Sequence, residues 1–160
     1  MMTAEYDEAA YRRYIYGSAE VVGLMCLKVF VEGDAAQYGK LRDGASHLGA
    51  AYQKVNFLRD MKADYEVLGR VYFPGVDYPS FSETSKRAIE ADIAADFALA
   101  KTNIKQLPLI IRRAVRTSML YYEALFRRLQ KASVADIKAR RIRVPNSVKL
   151  LLFVRGVVGL

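Results

Sequence analysis

A long helix with a polar stripe on one side most constrains what this chain can fold into. The pattern predicts the helix over about residues 35–68, with Asp34 placed as its N-cap and Gly69 ending it. At 100° per residue, four polar side chains of its second half fall within about 80° of one another. They are Gln53, Asn56, Asp60 and Asp64. Gly49 lies in the same arc, so we expect exposed backbone there, open to a bulky neighbour.

This stripe has the chemistry of a site for a divalent cation and phosphate. Asp60 and Asp64 lie one helical turn apart, and Mg²⁺ takes one or two carboxylates from a protein and completes its shell with water and phosphate oxygens. Asn56 adds a neutral oxygen, while Arg59 beside the stripe and Arg70 after the helix can each bind phosphate bidentately. A DxxxD pair alone also occurs on ordinary solvated helices, so the longer pattern has to decide between the two interpretations.

The longer pattern resembles a motif of a known enzyme family. QxxNxxRDxxxDxxxxxRxYFP, which begins at Gln53, resembles the second aspartate-rich motif of the phytoene/squalene synthases, which join two isoprenoid diphosphates head to head. YxYxxAxxVG, from Tyr14, looks like another family segment but departs from its commoner form at Ser18 and Glu20. YEALF and RxRVPNxxK resemble family segments closer to the C-terminus.

The resemblance implies an all-α fold, an isoprenoid-synthase-type helical bundle around an apolar cavity with metal-binding aspartates at its mouth. Residues 1–160 would form a single helical domain, the C-terminal part of such an enzyme, without the N-terminal helices that carry the first aspartate motif. The residues carried over as catalytic are Asp60, Asp64 and Tyr72, those carried over as metal ligands are Asp60, Asp64 and Asn56, and those carried over as substrate-binding are Tyr14, Tyr16, Gln53, Asn56, Arg59, Arg70 and Tyr122.

The implied activity is that of a prenyltransferase with Mg²⁺ as its cofactor. Ionisation of one prenyl diphosphate gives an allylic cation, which a second prenyl diphosphate attacks, and rearrangement of a cyclopropyl intermediate gives the coupled product. SAEVVGLM and RIRVPNS look more like bacterial phytoene synthases, which favours geranylgeranyl over farnesyl diphosphate as substrate and carotenoid biosynthesis as the pathway. A tyrosine such as Tyr122 is also explained by core packing.

Composition excludes several other kinds of site. The single Cys26 cannot form an internal disulfide, and with one histidine, His47, the chain has little with which to build a zinc site or a Ser-His-Asp triad. Cys26 is expected to be a buried thiol in a reducing compartment. We therefore expect a cytoplasmic protein, and the N-terminus shows no signal-peptide pattern.

The formal net charge of +8 is compatible with nucleic acid, an anionic membrane, a phosphate-bearing substrate or a missing acidic partner segment. Nucleic acid is not expected, because it leaves the polar stripe unexplained. The last apolar helix is too short to span a bilayer, and we expect it to pack on the body and to contact the inner membrane surface peripherally. The oligomeric state is not determined by the sequence.

Three hypotheses remain open from the sequence. The chain is an incomplete piece of a coupling synthase, or a non-catalytic half-protein that binds prenyl diphosphate or a partner subunit, or a basic helical module on anionic membrane or nucleic acid. A second DxxxD, Asp92 with Asp96, lacks the neighbouring Asn and Arg, and it is interpreted as a solvated helix face.

The remaining elements are predicted to be helical, and no strand is required. A largely buried helix is expected over 6–32 and a loop over 69–83. Further helices are expected over about 84–106, 109–131 and 133–139, followed by the apolar helix near the C-terminus.

Overall fold

The computed structural model describes residues 4–158, with side chains from Tyr6 onward. It is almost entirely helical, which confirms the all-α class. The helices are α1 (Glu8–Ile15), a π-helical segment (Tyr16–Glu20), α2 (Val21–Phe30), α3 (Ala35–Leu68), α4 (Glu83–Ile104), α5 (Leu109–Lys131), α6 (Val134–Ala139) and α7 (Asn146–Val158).

Helix α3 is the central element, and its bounds are those the sequence predicts. The Asp34 carboxylate caps it by accepting hydrogen bonds from the backbone N–H groups of Ala36 and Gln37 at 2.8 and 3.0 Å. Gly69 ends it in the left-handed region with φ of 61°, a conformation that glycine adopts without steric cost. Helix α4 packs along α3, while α2 and α5 contact it on the side that holds the cavity described below.

The predicted first helix is interrupted by the π-helical segment. Ser18 Oγ donates a hydrogen bond to the Tyr14 carbonyl oxygen at 2.6 Å, within this wider turn. The segment lies directly on α3, because a Cβ placed at Gly49 would stand 2.5 Å from the Ala19 carbonyl oxygen. The bulky neighbour expected at Gly49 is therefore backbone of this chain.

The expectation that the first helix is largely buried is wrong for α2. Val22, Met25 and Val29 are 52%, 64% and 73% exposed, and Cys26, predicted to be buried, is exposed and borders the cavity. The sequence shows that α2 is apolar on most sides, but only its Leu27 side meets other described elements closely enough to be buried.

A short parallel strand pair corrects the expectation that no strand is required. Strand β1 (Ala4–Glu5) pairs with β2 (Arg70–Val71), which directly follows the end of α3. Next to the pair, the Tyr6 and Tyr72 rings contact each other with centroids 5.1 Å apart. This contact helps to hold the beginning of the chain against the loop that follows α3.

The largest core cluster lies between α3, α4, α5 and α6. Six large side chains in it are essentially inaccessible to solvent, and each contributes about 1.5–3 kcal/mol by leaving water. They are Leu58, Ile93, Leu125, Leu129, Ile137 and Val55. This cluster fixes the half of α3 that carries the polar stripe.

Candidate functional site

A cavity of about 470 Å³, lined mainly by apolar groups, runs along one side of α3. The α3 residues in its wall recur with i, i+3, i+4 spacing, so one face of α3 lines the cavity from end to end. This face spans roughly 22 Å at 1.5 Å per residue. The α3 residues in this wall are Leu41, Gly44, Ala45, Leu48, Gly49, Tyr52, Gln53 and Asn56. Helices α2, α4 and α5 and the π-helical segment contribute the other walls.

The cavity changes from apolar to polar at Gln53 and Asn56. Asn56 Nδ2 donates a long hydrogen bond of 3.4 Å to Tyr122 Oη, whereas Asn56 Oδ1 is buried and has no hydrogen-bond partner. A buried acceptor without a partner costs about 1–3 kcal/mol. The unpaired amide oxygen of this cavity-lining residue therefore indicates a bound group that supplies a hydrogen-bond donor or a cation to it.

Two stacked tyrosines border this polar end. The Tyr52 and Tyr122 rings lie 3.8 Å apart between centroids at an angle of 12°, and the Tyr52 hydroxyl is 2.8 Å from Ser118 Oγ. Burial raises the pKa of Tyr52, so its phenol stays neutral. Both tyrosines line the cavity.

Asp60 lies one turn beyond Asn56, between two guanidinium groups. Arg59 Nη2 is 2.5 Å from Asp60 Oδ2, and Arg141 Nε is 2.6 Å from Asp60 Oδ1. Hydrogen bonding to Asp60 raises the pKa of Arg59. Arg141 was not among the predicted site residues, although it begins the RxRVPNxxK pattern and could have been inferred from it.

Asp64 lies one further turn along α3 and is half-buried. Burial and the neighbouring Asp60 carboxylate raise its pKa, against the opposing fields of Arg59, Arg141 and Arg70. An additional positive charge beside these carboxylates would relieve the repulsion between them.

The donor set fits magnesium in kind. Two carboxylates and one free amide oxygen are hard ligands on one helix face, and Mg²⁺ needs no more than one or two carboxylates from a protein when phosphate supplies the rest. Among the described residues, no group of three or more His, Cys, Asp or Glu side chains could hold a metal ion. Asp60, Asp64 and Asn56 therefore provide one side of a coordination shell.

Arg70 and Tyr72 lie beyond the end of α3 in an aromatic cluster. Tyr72 stacks on Phe57 with centroids 4.1 Å apart, and Tyr14 lies 5.1 Å from Tyr72. Burial raises the pKa of Tyr72, partly offset by its hydrogen bond with Arg70. Tyr14 therefore stands near the phosphate-binding candidates.

The predicted site residues fall into three groups. Gln53, Asn56 and Tyr122 line the cavity, and Asp60, Asp64 and Arg59 follow along α3 from its polar end. Tyr14, Arg70 and Tyr72 gather at the C-terminal end of α3. Tyr16 is 54% exposed and does not line the cavity. The role of each residue remains a prediction.

The second DxxxD is not a solvated face. Asp96 is 7% exposed, its Oδ2 is 2.8 Å from Lys54 Nζ, and its Oδ1 is 2.8 Å from His47 Nδ1. Asp92 is half-exposed and pairs with the same lysine at 2.6 Å. Burial opposes the charge of Lys54, but its two carboxylate partners outweigh that effect and raise its pKa. Asp96 is buried because α4 packs on the side of α3 that carries Lys54.

Comparison with known proteins identifies the family of the chain. The family description "Squalene/phytoene synthase" matches residues 2–147, which is most of the chain. No curated protein matches the chain at a significant level. The chain therefore belongs to the squalene/phytoene synthase family, a family of head-to-head prenyltransferases.

Proposed function

We propose that this chain forms the second-aspartate-motif half of a Mg²⁺-dependent enzyme that couples two geranylgeranyl diphosphates to phytoene in carotenoid biosynthesis. The observation that carries the proposal is a long apolar cavity whose polar end holds the unpaired Asn56 Oδ1 and leads to two carboxylates on the same helix. A prenyl diphosphate has the matching shape, because it is an apolar chain that ends in a strongly anionic group.

Each part of the site has a distinct task in this reaction. Enzymes of the family are generally Mg²⁺-dependent, and the cation supplies charge that stabilises the departing diphosphate. Asp60 and Asp64, with Asn56 Oδ1, would hold it. Arg59 and Arg70 bind diphosphate oxygens, and their fixed charge favours departure of the anion.

The apolar part of the cavity protects the carbocation that remains. The stacked faces of Tyr52 and Tyr122 lie at the junction of the apolar and polar regions, where the allylic carbon of a bound chain would be placed. The apolar walls exclude water, which would otherwise capture the cation before the second substrate does. No histidine base or nucleophilic side chain is needed for this chemistry.

The chain alone is expected to make no coupled product. The described residues present one aspartate pair beyond the polar end of the cavity, and α2, which forms part of the cavity wall, leaves Val22, Met25 and Val29 exposed. A second acidic helix, from another segment or another chain, would complete the metal shell and cover that face. The alternative function is thus a non-catalytic half-protein that binds prenyl diphosphate or a partner subunit.

The test is calorimetric binding of geranylgeranyl diphosphate with and without Mg²⁺. Asp60→Asn is expected to abolish the Mg²⁺-dependent part of binding and to leave the helix content unchanged by circular dichroism. The matched control is Asp92→Asn in the other DxxxD, which should bind like the parent. Full-strength, Mg²⁺-dependent binding by Asp60→Asn would refute the metal assignment.

Two further measurements refine the proposal. Binding of farnesyl diphosphate at equal or higher affinity would contradict the preference for geranylgeranyl diphosphate. Detection of phytoene from geranylgeranyl diphosphate, Mg²⁺ and this chain alone would contradict the need for a second acidic helix.

A further inference from the structure

We propose that a second cavity, on the side of α3 opposite the apolar cavity, binds a linear polyamine such as spermidine. This second cavity has a volume of about 680 Å³, which is within the usual range for small-molecule sites. Its α3 residues project roughly 160° away from the α3 wall of the apolar cavity at 100° per residue. They are Ser46, His47, Ala50 and Lys54. Polyamine binding here goes beyond prenyl coupling and uses a different set of side chains.

The second cavity is acidic although the chain is basic. Among the described residues, four carboxylates and two cations, Arg12 and Lys54, line it, which leaves a net charge of −2 with His47 neutral. The formal net charge of the whole chain is +8, so the protein as a whole does not attract a polycation. Attraction is therefore local to this cavity. The four carboxylates are those of Glu8, Glu20, Asp92 and Asp96.

The two protein cations neutralise only part of this charge. Arg12 pairs with Glu8 at 2.7 Å, and both side chains are exposed at the rim. Lys54 Nζ lies 2.6 Å from Asp92 Oδ2 and 2.8 Å from Asp96 Oδ2, so two carboxylates share one ammonium group. An ammonium group of a ligand would supply a charge that the protein leaves missing there.

Glu20 lies at the other end of the second cavity. It is a position at which the chain departs from the commoner form of the family segment, and it lines the second cavity but not the apolar one. Its carboxylate accepts a hydrogen bond from the neutral Ser46 hydroxyl. Ser46 and Lys54 are eight residues apart on α3, so the Glu20 end and the Asp92 end are about 12 Å apart along the helix axis. A linear polyamine with an ammonium group at each end is suited to that span.

A buried tyrosine gives a second, independent indication of a ligand. Tyr11 lines the second cavity and is 7% exposed, and its Oη is buried without a hydrogen-bond partner among the described residues. Burial and the carboxylates of Asp92, Asp96 and Glu8 raise the pKa of Tyr11, so its phenol stays neutral. A neutral phenol oxygen accepts a hydrogen bond from an ammonium N–H group, which supplies the missing partner.

The lining favours an organic cation over a metal ion. The carboxylates do not converge, because within residues 6–158 no group of three or more His, Cys, Asp or Glu side chains could hold a metal ion. The methylene segments of a polyamine can pack on apolar side chains while its ammonium groups reach the carboxylates. Apolar residues of the lining are Ile15, Ala50, Phe73, Val76 and Ile89.

The experiment is calorimetric titration of the whole chain with spermidine, without prenyl diphosphate or Mg²⁺. We expect one saturable site whose affinity falls as salt is raised. Spermidine acetylated on both terminal nitrogens lacks the terminal charges and should not bind. Putrescine is too short to reach both ends and should bind about tenfold more weakly. Absence of saturable spermidine binding, or equal binding of either analogue, would overturn the proposal and leave the prenyl diphosphate measurements unaffected.

Variants at the two ends assign the binding to this cavity. Glu20→Gln should weaken spermidine binding about tenfold or more, because one ammonium group loses its carboxylate. Asp92→Asn should act similarly at the other end, where Lys54 keeps its pairing with Asp96. The matched control is Glu66→Gln, the same change at an exposed position of α3 outside both cavities. Losses in Glu20→Gln and Asp92→Asn no larger than in Glu66→Gln would overturn the assignment.

Competition separates this cavity from the other carboxylate pair. Mg²⁺ added at constant ionic strength should not displace spermidine, because the proposed Mg²⁺ ligands lie outside the second cavity. Stoichiometric displacement would place the polyamine at Asp60 and Asp64 and would overturn the proposal.

Tyr11→Phe distinguishes a ligand contact from a structural one. Because the hydroxyl has no partner in the described protein, its removal should leave the Tm of the spermidine-free chain unchanged or raised. The same variant should weaken spermidine binding several-fold. A lower Tm without spermidine, or binding equal to that of the parent, would refute the role of this hydroxyl as a ligand contact.

Discussion

The contact between Gly49 and the π-helical segment provides a sharp test of how the cavity wall is held. An ideal Cβ at Gly49 would stand 2.5 Å from the Ala19 carbonyl oxygen, 2.9 Å from the Ala19 carbonyl carbon and 3.1 Å from Glu20 Cα. All three are backbone atoms, so no side-chain rotation can relieve the contact. Gly49→Ala therefore has to displace a segment that forms part of the cavity wall.

Gly39 is the matched control, because it lies in the same helix and a Cβ there meets nothing within 4 Å. Replacing an exposed helical glycine by alanine stabilises a protein by about 1 kcal/mol through helix propensity. The same gain applies to Gly49→Ala, but overpacking costs about 1–3 kcal/mol. Since the propensity gain cancels between the two variants, Gly49→Ala should be about 1–3 kcal/mol less stable than Gly39→Ala.

The assay is urea unfolding of the parent and both variants, followed by thermal melting. For a chain of this size, each kcal/mol corresponds to about 2–4 °C in Tm. Gly49→Ala should also weaken prenyl diphosphate binding, whereas Gly39→Ala should not. Equal free energies of unfolding for the two variants would refute the close approach of the π-helical segment to α3.

Three further predictions follow from side-chain contacts. Lys54→Met leaves the buried Asp96 without its cation and should lower the free energy of unfolding, measured in urea, by about 3 kcal/mol. The double variant Lys54→Met/Asp96→Asn should recover most of this loss. A double variant as unstable as the single one would contradict the pairing. Hydrogen bonds from the backbone N–H groups of Gln37 and Ala36 lower the pKa of Asp34, so its capping contribution is present above the unfolded pKa of about 3.9 and is lost as pH falls through the lower folded value. Asn caps without titrating, and the Tm advantage of the parent over Asp34→Asn should therefore shrink on acidification; a constant difference would contradict this cap. Tyr122→Phe keeps the ring stack and should change stability by no more than about 0.5 kcal/mol, because the hydrogen bond that Tyr122 accepts from Asn56 is long. Tyr122→Ala removes the ring and should weaken prenyl diphosphate binding about tenfold in calorimetry. Equal binding by both variants would contradict a role for the ring.

The sequence predicts those parts of the fold that depend on local signals. Asp34 and Gly69 define α3 to the residue, because an N-cap carboxylate and a left-handed glycine act on their own helix. The sides of α3 could not be assigned in the same way. Its cavity side is apolar at Leu41 and polar at Asn56, while its opposite side carries Lys54, so no single apolar stripe marks the core.

The features that were missed depend on packing between helices. Lys54 and Asp96 are 42 residues apart in the sequence, and only the packing of α4 on α3 makes them a buried pair. A lysine next to the core residue Val55, together with an i, i+4 acid pair on another helix, was the available signal. The exposure of Cys26 could not be predicted either, because apolar periodicity shows that a helix face is suited to burial without showing which segment packs on it.

The charges around Asp60 indicate how the proposed ligands depend on one another. The guanidinium groups of Arg59, Arg141 and Arg70 act on Asp64, and those of Arg59 and Arg141 also pair with Asp60. Both oxygens of Asp60 are engaged by arginine, so this carboxylate is poorly available to a cation while the arginines hold it. A diphosphate competes for the same guanidinium groups, and by engaging Arg59 or Arg141 it would release an Asp60 oxygen. We therefore expect cation and diphosphate to favour each other's binding at this site, and by linkage the effect is reciprocal.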